Sequence, residues 1–152
     1  MSEALPVVGR GFYYEDLRVG FRFRTHRRTL AESDLASFVN LTWLTEELFA
    51  VADDSGRVLK GRPVPAALVY SCAEGLLLPT MQDTGLAFLN ATLDVKGPTL
   101  IGDTIHVESE VTEHRLTSKG DRGLVRFANK VINQRTETVL EYNPLRMLKR
   151  KP

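Results

Sequence analysis

The sequence predicts an α+β domain in which a curved antiparallel sheet wraps around one long, buried helix. Residues 63–78 are apolar almost all round, which is typical of a helix enclosed by other elements. Strand-like segments follow from residue 87 onward, separated by turn residues and not by helices. A strand and a shorter amphipathic helix come before the long helix. Helices followed by a run of strands favour a sheet with its helices packed on one face.

The first strand and the first helix are predicted from the spacing of apolar residues, which changes from every second residue to helical spacing. Residues 21–28 begin by alternating apolar and basic side chains, which predicts a half-buried strand. From Glu32 the apolar positions follow helical spacing, and an acidic first turn suits the helix dipole. This stripe predicts a helix that ends near Leu41, and it consists of Leu35, Phe38, Val39 and Thr42. Residues 43–51 are expected to form a loop or a short turn of helix.

The second half of the chain is predicted to be one long helix and four strands. Proline is tolerated in a first helical turn, so the helix is placed over residues 63–78, with Pro79 ending it. The strands are expected at 87–95, 105–112, 123–133 and 138–148, with turns at 98–103 and 118–123.

Composition excludes several classes of protein. The 152 residues suit one domain, and 43% hydrophobic with 26% charged residues does not favour disorder. A net charge of +1 does not favour nucleic acid as a partner. The single cysteine, Cys72, excludes an intrachain disulfide and fits a reducing compartment. With neither a signal-peptide pattern nor a membrane-length apolar run, we expect a cytoplasmic protein without membrane contact. Residues 1–11 are expected to be a loose arm and residues 149–152 a basic C-terminal end.

Four segments, in order, resemble motifs of the MaoC-like hydratase/dehydratase family. Residues 12–20 resemble its opening Phe-x-Asp-Leu-x-Val-Gly segment. Residues 29–35 resemble its Thr-x-Thr-Glu-x-Asp helix entry, with Ala31 in place of the capping threonine. Residues 98–107 are similar to Pro-Val-x-x-Gly-Asp-Thr-Ile/Leu. Residues 122–127, followed by 133–135, resemble the penultimate strand and turn.

The resemblance covers about residues 12–148 and implies a single hotdog domain. It also implies chemistry on an enoyl or 3-hydroxyacyl thioester, usually of coenzyme A. In the family, an Asp and a His hold the water that is added or removed. A backbone N–H at the start of the central helix polarises the thioester carbonyl.

The residues that transfer protons in the family are replaced in this chain. The family pattern Gly-Asp-x-Asn-Pro-x-His falls on residues 43–49. Leu44 stands at the Asp position and Phe49 at the His position, and neither side chain can transfer a proton. Glu46 stands at the Asn position. We therefore take Glu46 and Glu47 as candidate catalytic carboxylates, with solvated surface residues as the alternative reading.

The candidate substrate-binding residues flank these two carboxylates in the sequence. Pro65 and Ala66 correspond to the family's His-Gly before the central helix. Pro65 has no N–H, so Ala66 or Ala67 would offer the N–H that binds the carbonyl. The full set of candidates is Trp43, Leu44, Phe49, Arg62, Pro65, Ala66 and Ala67.

Three functions remain open from the sequence. The first is an acyl-CoA hydratase/dehydratase relative with an altered site centred on Glu46. The second is a non-catalytic acyl-thioester binder, or a subunit whose partner supplies the missing pair. The third is a hotdog thioesterase, in which one carboxylate activates water. We expect a homodimer or a pair with another hotdog chain. No cofactor or metal is expected, because His26, His106 and His114 lack partners at metal spacing.

Overall fold

An antiparallel sheet of eight strands curves around a central helix in the structure, a computed structural model that describes residues 4–152. The helices are α1 (Glu32–Thr42), α2 (Glu47–Ala50) and α3 (Ala66–Leu77). The strands are β1 (Arg22–Arg24), β2 (Arg28–Thr29), β3 (Gly85–Asn90), β4 (Leu93–Val95), β5 (Thr104–Leu116), β6 (Arg122–Ile132), β7 (Thr138–Tyr142) and β8 (Leu145–Lys149). This confirms the predicted α+β architecture. Residues 1–3 of the expected arm lie outside the described residues, and residues 4–10 form no helix or strand.

The long hairpin β5–β6 is the centre of the sheet. On one side, β5 pairs with β1 and β2. On the other side, β6 pairs with β7 over one part of its length and with β8 over the other. Strand β4 then pairs with β7, and β3 with β8. Together β3 and β4 therefore form one edge of the sheet, here called the outer edge, and β1 and β2 form the opposite edge.

Two segments predicted as single strands are each broken in the middle. Residues 87–95 divide into β3 and β4, and residues 138–148 divide into β7 and β8. The second break falls at Asn143 and Pro144, where proline has no N–H for the ladder. The Asn143 side chain accepts hydrogen bonds from the backbone N–H of Thr92 at 2.6 Å and from its hydroxyl at 2.8 Å. These hydrogen bonds connect the break between β3 and β4 with the break between β7 and β8.

The central helix begins at Ala66 and not at Pro63. Pro63 forms an isolated bridge with Leu100, and the N–H of Val64 donates to Thr99 O at 2.8 Å. These contacts hold the two residues in extended backbone, so α3 starts only after Pro65. Its Cys72 side chain is buried in the main core, and burial raises the pKa of the thiol. A buried thiol with a raised pKa forms little thiolate at neutral pH, so Cys72 has a packing role in the core.

Helix α1 matches its prediction within one residue. Ala31 occupies the position before the helix and supplies no side-chain cap. The Asp34 carboxylate accepts the Ala31 N–H at 2.8 Å, and that hydrogen bond is the main cause of the lowered pKa of Asp34. A capping box consists of two reciprocal hydrogen bonds, and the one from the Ala31 N–H to the Asp34 side chain is retained although the threonine side chain that would make the other is absent.

The basic C-terminal end is held by ion pairs. Lys149 contacts Asp83 at 3.1 Å, Arg150 contacts Glu15 at 2.8 Å and Lys151 contacts Asp16 at 2.8 Å. The Arg150 guanidinium is the main cause that lowers the pKa of Glu15 to about 2. Arg150 and Lys151 fix the C-terminal residues to the segment that precedes β1, and Lys149 fixes them to the turn that precedes β3.

Asp103 holds together the turn before β5. Asp103 is 4% exposed, and its carboxylate accepts hydrogen bonds from the backbone N–H of Leu100 at 2.9 Å, from Gln134 at 2.8 Å and from Arg135 at 3.3 Å. Burial alone would raise the pKa of Asp103. The hydrogen bonds outweigh burial and hold the pKa below its ordinary value of 3.8. The Gly-Asp-Thr motif therefore has a structural role in this chain.

Asp103→Asn is expected to lower the free energy of unfolding by about 2 kcal/mol at neutral pH, because the amide cannot accept all three donors as a charged group does. Because the folded-state pKa is depressed, the stabilisation is fully present above 3.8 and is lost as pH falls through the lower value. The stability curves of wild type and variant should therefore converge in acid. Urea denaturation from pH 7 to pH 2.5 measures this, with the exposed Asp94→Asn as control. A constant difference across that range would contradict the assignment.

Candidate functional site

The loop after α1 carries an exposed tryptophan. Trp43 ends α1 in the left-handed conformation, with φ of 60°, and its N–H donates to Val39 O at 2.9 Å. Trp43 is 84% exposed, so its indole ring does not pack into the hydrophobic core. Leu44 follows and is half-buried. The structure therefore shows the Trp43 ring at the surface of the loop, where it contributes nothing to the hydrophobic core.

Both candidate carboxylates lie at the start of α2 and are exposed. Glu46 occupies the N-cap position of α2, and Glu47 is its first residue. Within the described part of the chain, neither carboxylate forms a hydrogen bond or an ion pair. Both are therefore free to interact with a ligand, but a single chain gives them no buried environment.

Phe49 and Arg62 join the elements around this loop. The Phe49 ring packs against the main core. The Arg62 guanidinium donates to Phe49 O at 3.2 Å and pairs with Glu32 of α1 at 2.9 Å. Its Nε atom is buried without a partner. Arg62 thus ties α1, α2 and the chain entering α3, and this position favours a structural role over phosphate binding.

Sequence reasoning missed a second arginine at this loop. The Arg57 guanidinium donates to Val51 O at 3.1 Å and to Glu47 O at 3.0 Å. These carbonyls belong to α2 and to the residue that ends it, and the negative end of the helix dipole favours a cation there. No local pattern predicts the contact, because Arg57 follows a turn that brings it back to the helix.

The start of α3 presents free backbone donors. Pro65 is the N-cap, and its carbonyl accepts the N–H groups of Leu68 and Val69 at 2.9 and 3.1 Å. Among the described residues, the N–H groups of Ala66 and Ala67 donate to no acceptor. The first-turn N–H groups of a helix have no intrahelical partner, and the helix dipole adds positive potential there. The expected carbonyl-binding donors are therefore available.

An apolar recess of about 90 Å³ lies beside these donors. Ala66 forms part of its wall, and the recess reaches the edge of the sheet at Val95. The other residues around it are Val64, Val69, Gly97, Pro98, Thr99, Val139 and Leu140. Hydrogen-bond donors next to an apolar recess suit a ligand that has one polar group on an apolar chain.

A buried ion pair lies farther along α3, and the sequence reasoning did not single it out. The Arg146 guanidinium donates through Nη2 to both oxygens of Glu74, at 2.9 and 2.7 Å. Its Cζ lies 5.4 Å from the centroid of the Phe88 ring. Tyr142 packs edge-on against Tyr70, with ring centroids 4.9 Å apart. The signal for this ion pair in the sequence was Glu74, a carboxylate in a predominantly apolar helix.

The Tyr142 hydroxyl is buried without a hydrogen-bond partner in the described chain. Burial raises the pKa of Tyr142, and the negative charge of Glu74 raises it further. The Asn129 side chain, opposite on β6, partly offsets this rise in the pKa of Tyr142, and its Oδ1 accepts the Ser109 hydroxyl at 2.6 Å.

The described residues contain no group of three His, Cys, Asp or Glu side chains that could hold a metal. His106 lies 3.2 Å from Glu108, and the His114 ring stacks on Tyr14. None of the helices between residues 4 and 152 is both long and apolar enough to cross a membrane.

Known structures share the fold of this chain. The MaoC-like dehydratase from Rhodospirillum rubrum superposes with a TM-score of 0.81 and 23% identity, covering 93% of this chain and 99% of that one. An R-hydratase from Pseudomonas aeruginosa has a TM-score of 0.77 and 24% identity, covering 93% and 88%. A Mycobacterium tuberculosis protein with a double hotdog fold has a TM-score of 0.84 and 22% identity, covering 97% of this chain and 46% of that one. No protein-family model and no curated protein sequence matches the chain.

The chain therefore has the hotdog fold, as its motifs led us to expect. Its structural neighbours are MaoC-like dehydratases and (R)-hydratases. At these identities the comparison assigns the fold, and the reaction has to be argued from the site.

Proposed function

We propose that this chain binds an acyl thioester of the enoyl or 3-hydroxyacyl type, with the thioester carbonyl at the start of α3. The observation that supports this is the pair of unpartnered N–H groups of Ala66 and Ala67 beside an apolar recess. Two donors aimed at one oxygen stabilise the negative charge that develops on a carbonyl during addition or removal of water. The recess accommodates apolar atoms next to that carbonyl.

We propose reversible hydration as the reaction, with Glu46 as the acid/base and Glu47 close to it. Leu44 and Phe49 occupy the positions of the family's proton-transfer pair, so another group must hold the water. Glu46 is ionisable, lies in the same loop and is not committed to any other contact. One carboxylate can act as base toward the water that adds to Cβ and then, as acid, return that proton to Cα of the resulting enolate, and the same two proton transfers run in reverse during dehydration.

Glu46→Gln is expected to reduce hydration of an enoyl-CoA at least a hundredfold while leaving the stability of the fold unchanged, because an exposed carboxylate without partners contributes little to folding. Glu47→Gln is the matched control, one residue farther on, with an expected effect below tenfold. Loss of the conjugated double bond and release of free thiol are followed in parallel over a panel of enoyl- and 3-hydroxyacyl-CoA thioesters. Hydration that is unchanged by Glu46→Gln would rule out this carboxylate as the acid/base. Thiol release without hydration would favour a thioesterase.

A second candidate is an acyl-thioester-binding subunit that turns nothing over by itself. The observation that favours it is the exposure of both carboxylates together with the apolar side chains of Leu44 and Phe49. The double-hotdog neighbour from M. tuberculosis has about twice the length of this chain. This chain and a separate hotdog partner that supplies the proton-transfer pair would together form a double hotdog unit of similar size. Turnover by the purified chain alone would contradict this candidate.

We also propose that a second hotdog unit pairs with the outer edge of the sheet. Strands β3 and β4 are each hydrogen-bonded on one side within the described chain. Large apolar side chains along this edge are exposed, namely Leu86, Phe88, Leu89, Leu93 and Val95. An uncovered apolar edge promotes pairing with another chain, and a two-fold dimer is the commonest arrangement.

The purified protein is expected to sediment as a dimer at micromolar concentration. Leu93→Arg should shift it toward monomer, because a charge on the edge strand opposes pairing. Arg115→Ala, at an exposed position near the end of β5, is the control and should leave the dimer unchanged. Sedimentation of the wild type as a monomer would contradict self-pairing along this edge.

A further inference from the structure

The backbone of β1 has hydrogen-bonding groups that point away from the sheet. Strand β1 pairs with β5 on one side, and in the chain from residue 4 onward no other strand pairs with it. The Thr25 N–H donates to Val107 O at 2.9 Å. Hydrogen bonds in an antiparallel pair recur at every second residue, so the peptide groups of Phe23 also face β5. Those of Arg22 and Arg24 face outward and are free to pair with another strand.

Two clefts lie beside β1, one on each face of the strand. The first has a volume of about 460 Å³, and its walls include Arg22 and Arg24 together with Glu108 of β5. The second, of about 450 Å³, lies between residues 23–27 and the end of α3 at Leu76. Neighbouring strands lie about 4.8 Å apart, with side chains on alternate faces. The clefts therefore leave room for the side chains of another extended chain beside β1.

The basic side chains of β1 and of the residues after it have no partner in the described part of the chain. They are exposed, and they form neither an ion pair nor a side-chain hydrogen bond. This set, here called the basic edge, consists of Arg22, Arg24, His26 and Arg27. The next arginine along the chain, Arg28, is by contrast paired with Asp34 at 2.9 Å. Charged side chains on an edge oppose pairing with an edge of like charge and favour one of opposite charge.

A row of charges that alternate in sign crosses the sheet and ends at β1. Arg24 lies opposite Glu108 of β5. Glu108 lies opposite Lys130 of β6, which lies opposite Glu141 of β7. Opposite charges on neighbouring strands attract, whereas like charges directly opposite each other are destabilising. A strand added beyond β1 therefore continues the alternation when an acidic residue lies opposite Arg24. The same holds at Arg22, which also faces a glutamate of β5.

We propose that the basic edge binds an extended acidic segment of another protein, which adds to the sheet as an antiparallel strand beside β1. The core of this segment reads acidic, apolar, acidic. Its two acidic residues lie opposite Arg22 and Arg24 and exchange backbone hydrogen bonds with them, because those peptide groups point outward. The apolar residue lies opposite Phe23 and faces the end of α3 at Leu76.

The pattern of the segment excludes a second copy of the outer edge as its source. Strands β3 and β4 contain one acidic residue between them, Asp94, and so cannot supply two at the required spacing. The partner is therefore a different protein. The inference does not depend on the proposed acyl-thioester site, which lies at the other end of α3.

The test titrates the purified, nitrogen-15-labelled chain with the peptide Thr-Glu-Val-Glu-Thr, capped at both ends. We expect a dissociation constant below about 1 mM and slower hydrogen exchange at the amides of Arg22 and Arg24. The same peptide with lysine in place of both glutamates is expected to bind about tenfold more weakly. Failure of the acidic peptide to bind, or equal affinities of the two peptides, would overturn the inference.

Methylated peptides separate strand pairing from attraction between charges alone. Methylation of both glutamate nitrogens removes the N–H groups that donate to β1 and keeps the charges, so affinity should fall about tenfold. Methylation of the valine nitrogen, which points away from β1, is the matched control and should leave binding intact. Equal binding of the two methylated peptides would show an anion site without strand pairing and would overturn the inference.

A pair of variants tests the role of the arginines. Arg22→Thr combined with Arg24→Thr removes both charges at exposed positions and keeps residues that favour strands. The preference for the glutamate peptide over the lysine peptide should then be lost. Arg115→Thr, at an exposed position near the end of β5, is the control and should keep the preference. A preference that is unchanged in the double variant would contradict recognition by the basic edge.

Discussion

Arg146→Ala is expected to lower the free energy of unfolding by about 3 kcal/mol at pH 7. The arginine is the partner of Glu74, whose side chain is 21% exposed and lies on the central helix. Removing the guanidinium leaves that carboxylate in a largely buried position without compensation. The contact with Phe88 on the edge strand is lost as well. Urea denaturation measures the effect directly.

Two comparisons identify the cause of this loss. Lys149→Ala removes the neighbouring ion pair with Asp83, in which both side chains are more than 40% exposed, and should have little effect on stability. Replacing Glu74 and Arg146 together by methionine should recover most of the stability lost in Arg146→Ala, because no unpaired charge remains. If Arg146→Ala lowered the free energy of unfolding no more than Lys149→Ala does, the ion pair of Arg146 and Glu74 would not stabilise the fold as described.

Ala66→Pro is expected to weaken binding of a saturated acyl-CoA about tenfold while the protein stays folded. Proline is accepted at the first position of a helix, and Pro65, with φ of −56° and ψ of 138°, already has the conformation required before a proline. The substitution therefore removes one backbone donor at the start of α3 and little else. Calorimetric titration gives the change in affinity.

Ala66→Val is the matched control for this variant. Valine adds comparable volume beside the apolar recess but keeps the N–H, so any loss due to filling the recess appears in both proteins. The difference between the two variants reports the hydrogen bond to the thioester carbonyl. Equal affinities of Ala66→Pro and Ala66→Val would place the carbonyl elsewhere.

The helices of this fold could be predicted because their signals are local. Period 3.6 placed α1 within one residue of its observed end. The start of α3 was placed too early, because proline fits a first helical turn as well as the extended bridge that Pro63 makes with Leu100. The break between β3 and β4 was missed because it involves the contact between Thr92 and Asn143, which are 51 residues apart. The break between β7 and β8 had a local signal, Pro144, which the prediction of one strand over residues 138–148 overlooked.

The candidate site could be predicted only in part. The resemblance indicated Ala66 and Ala67, and the structure leaves their N–H groups free. The exposure of Trp43 depends on what packs over its loop, which a single sequence does not show. The pair of Glu74 and Arg146 joins residues 72 positions apart, so no spacing rule reveals it. The sequence thus locates the backbone donors, and the tertiary fold locates the ion pair of Glu74 and Arg146.

The thioester carbonyl stretching frequency of a bound acyl-CoA tests the account most directly. Isotope-edited infrared spectroscopy with a carbon-13 label at the carbonyl separates this band from the protein amides. Two hydrogen bonds at the positive end of α3 polarise the carbonyl, so the band should lie at lower frequency in the complex than in free acyl-CoA. The band should return toward its free position in Ala66→Pro but not in Ala66→Val. A bound ligand whose carbonyl frequency matches that of free acyl-CoA would contradict binding at the start of α3.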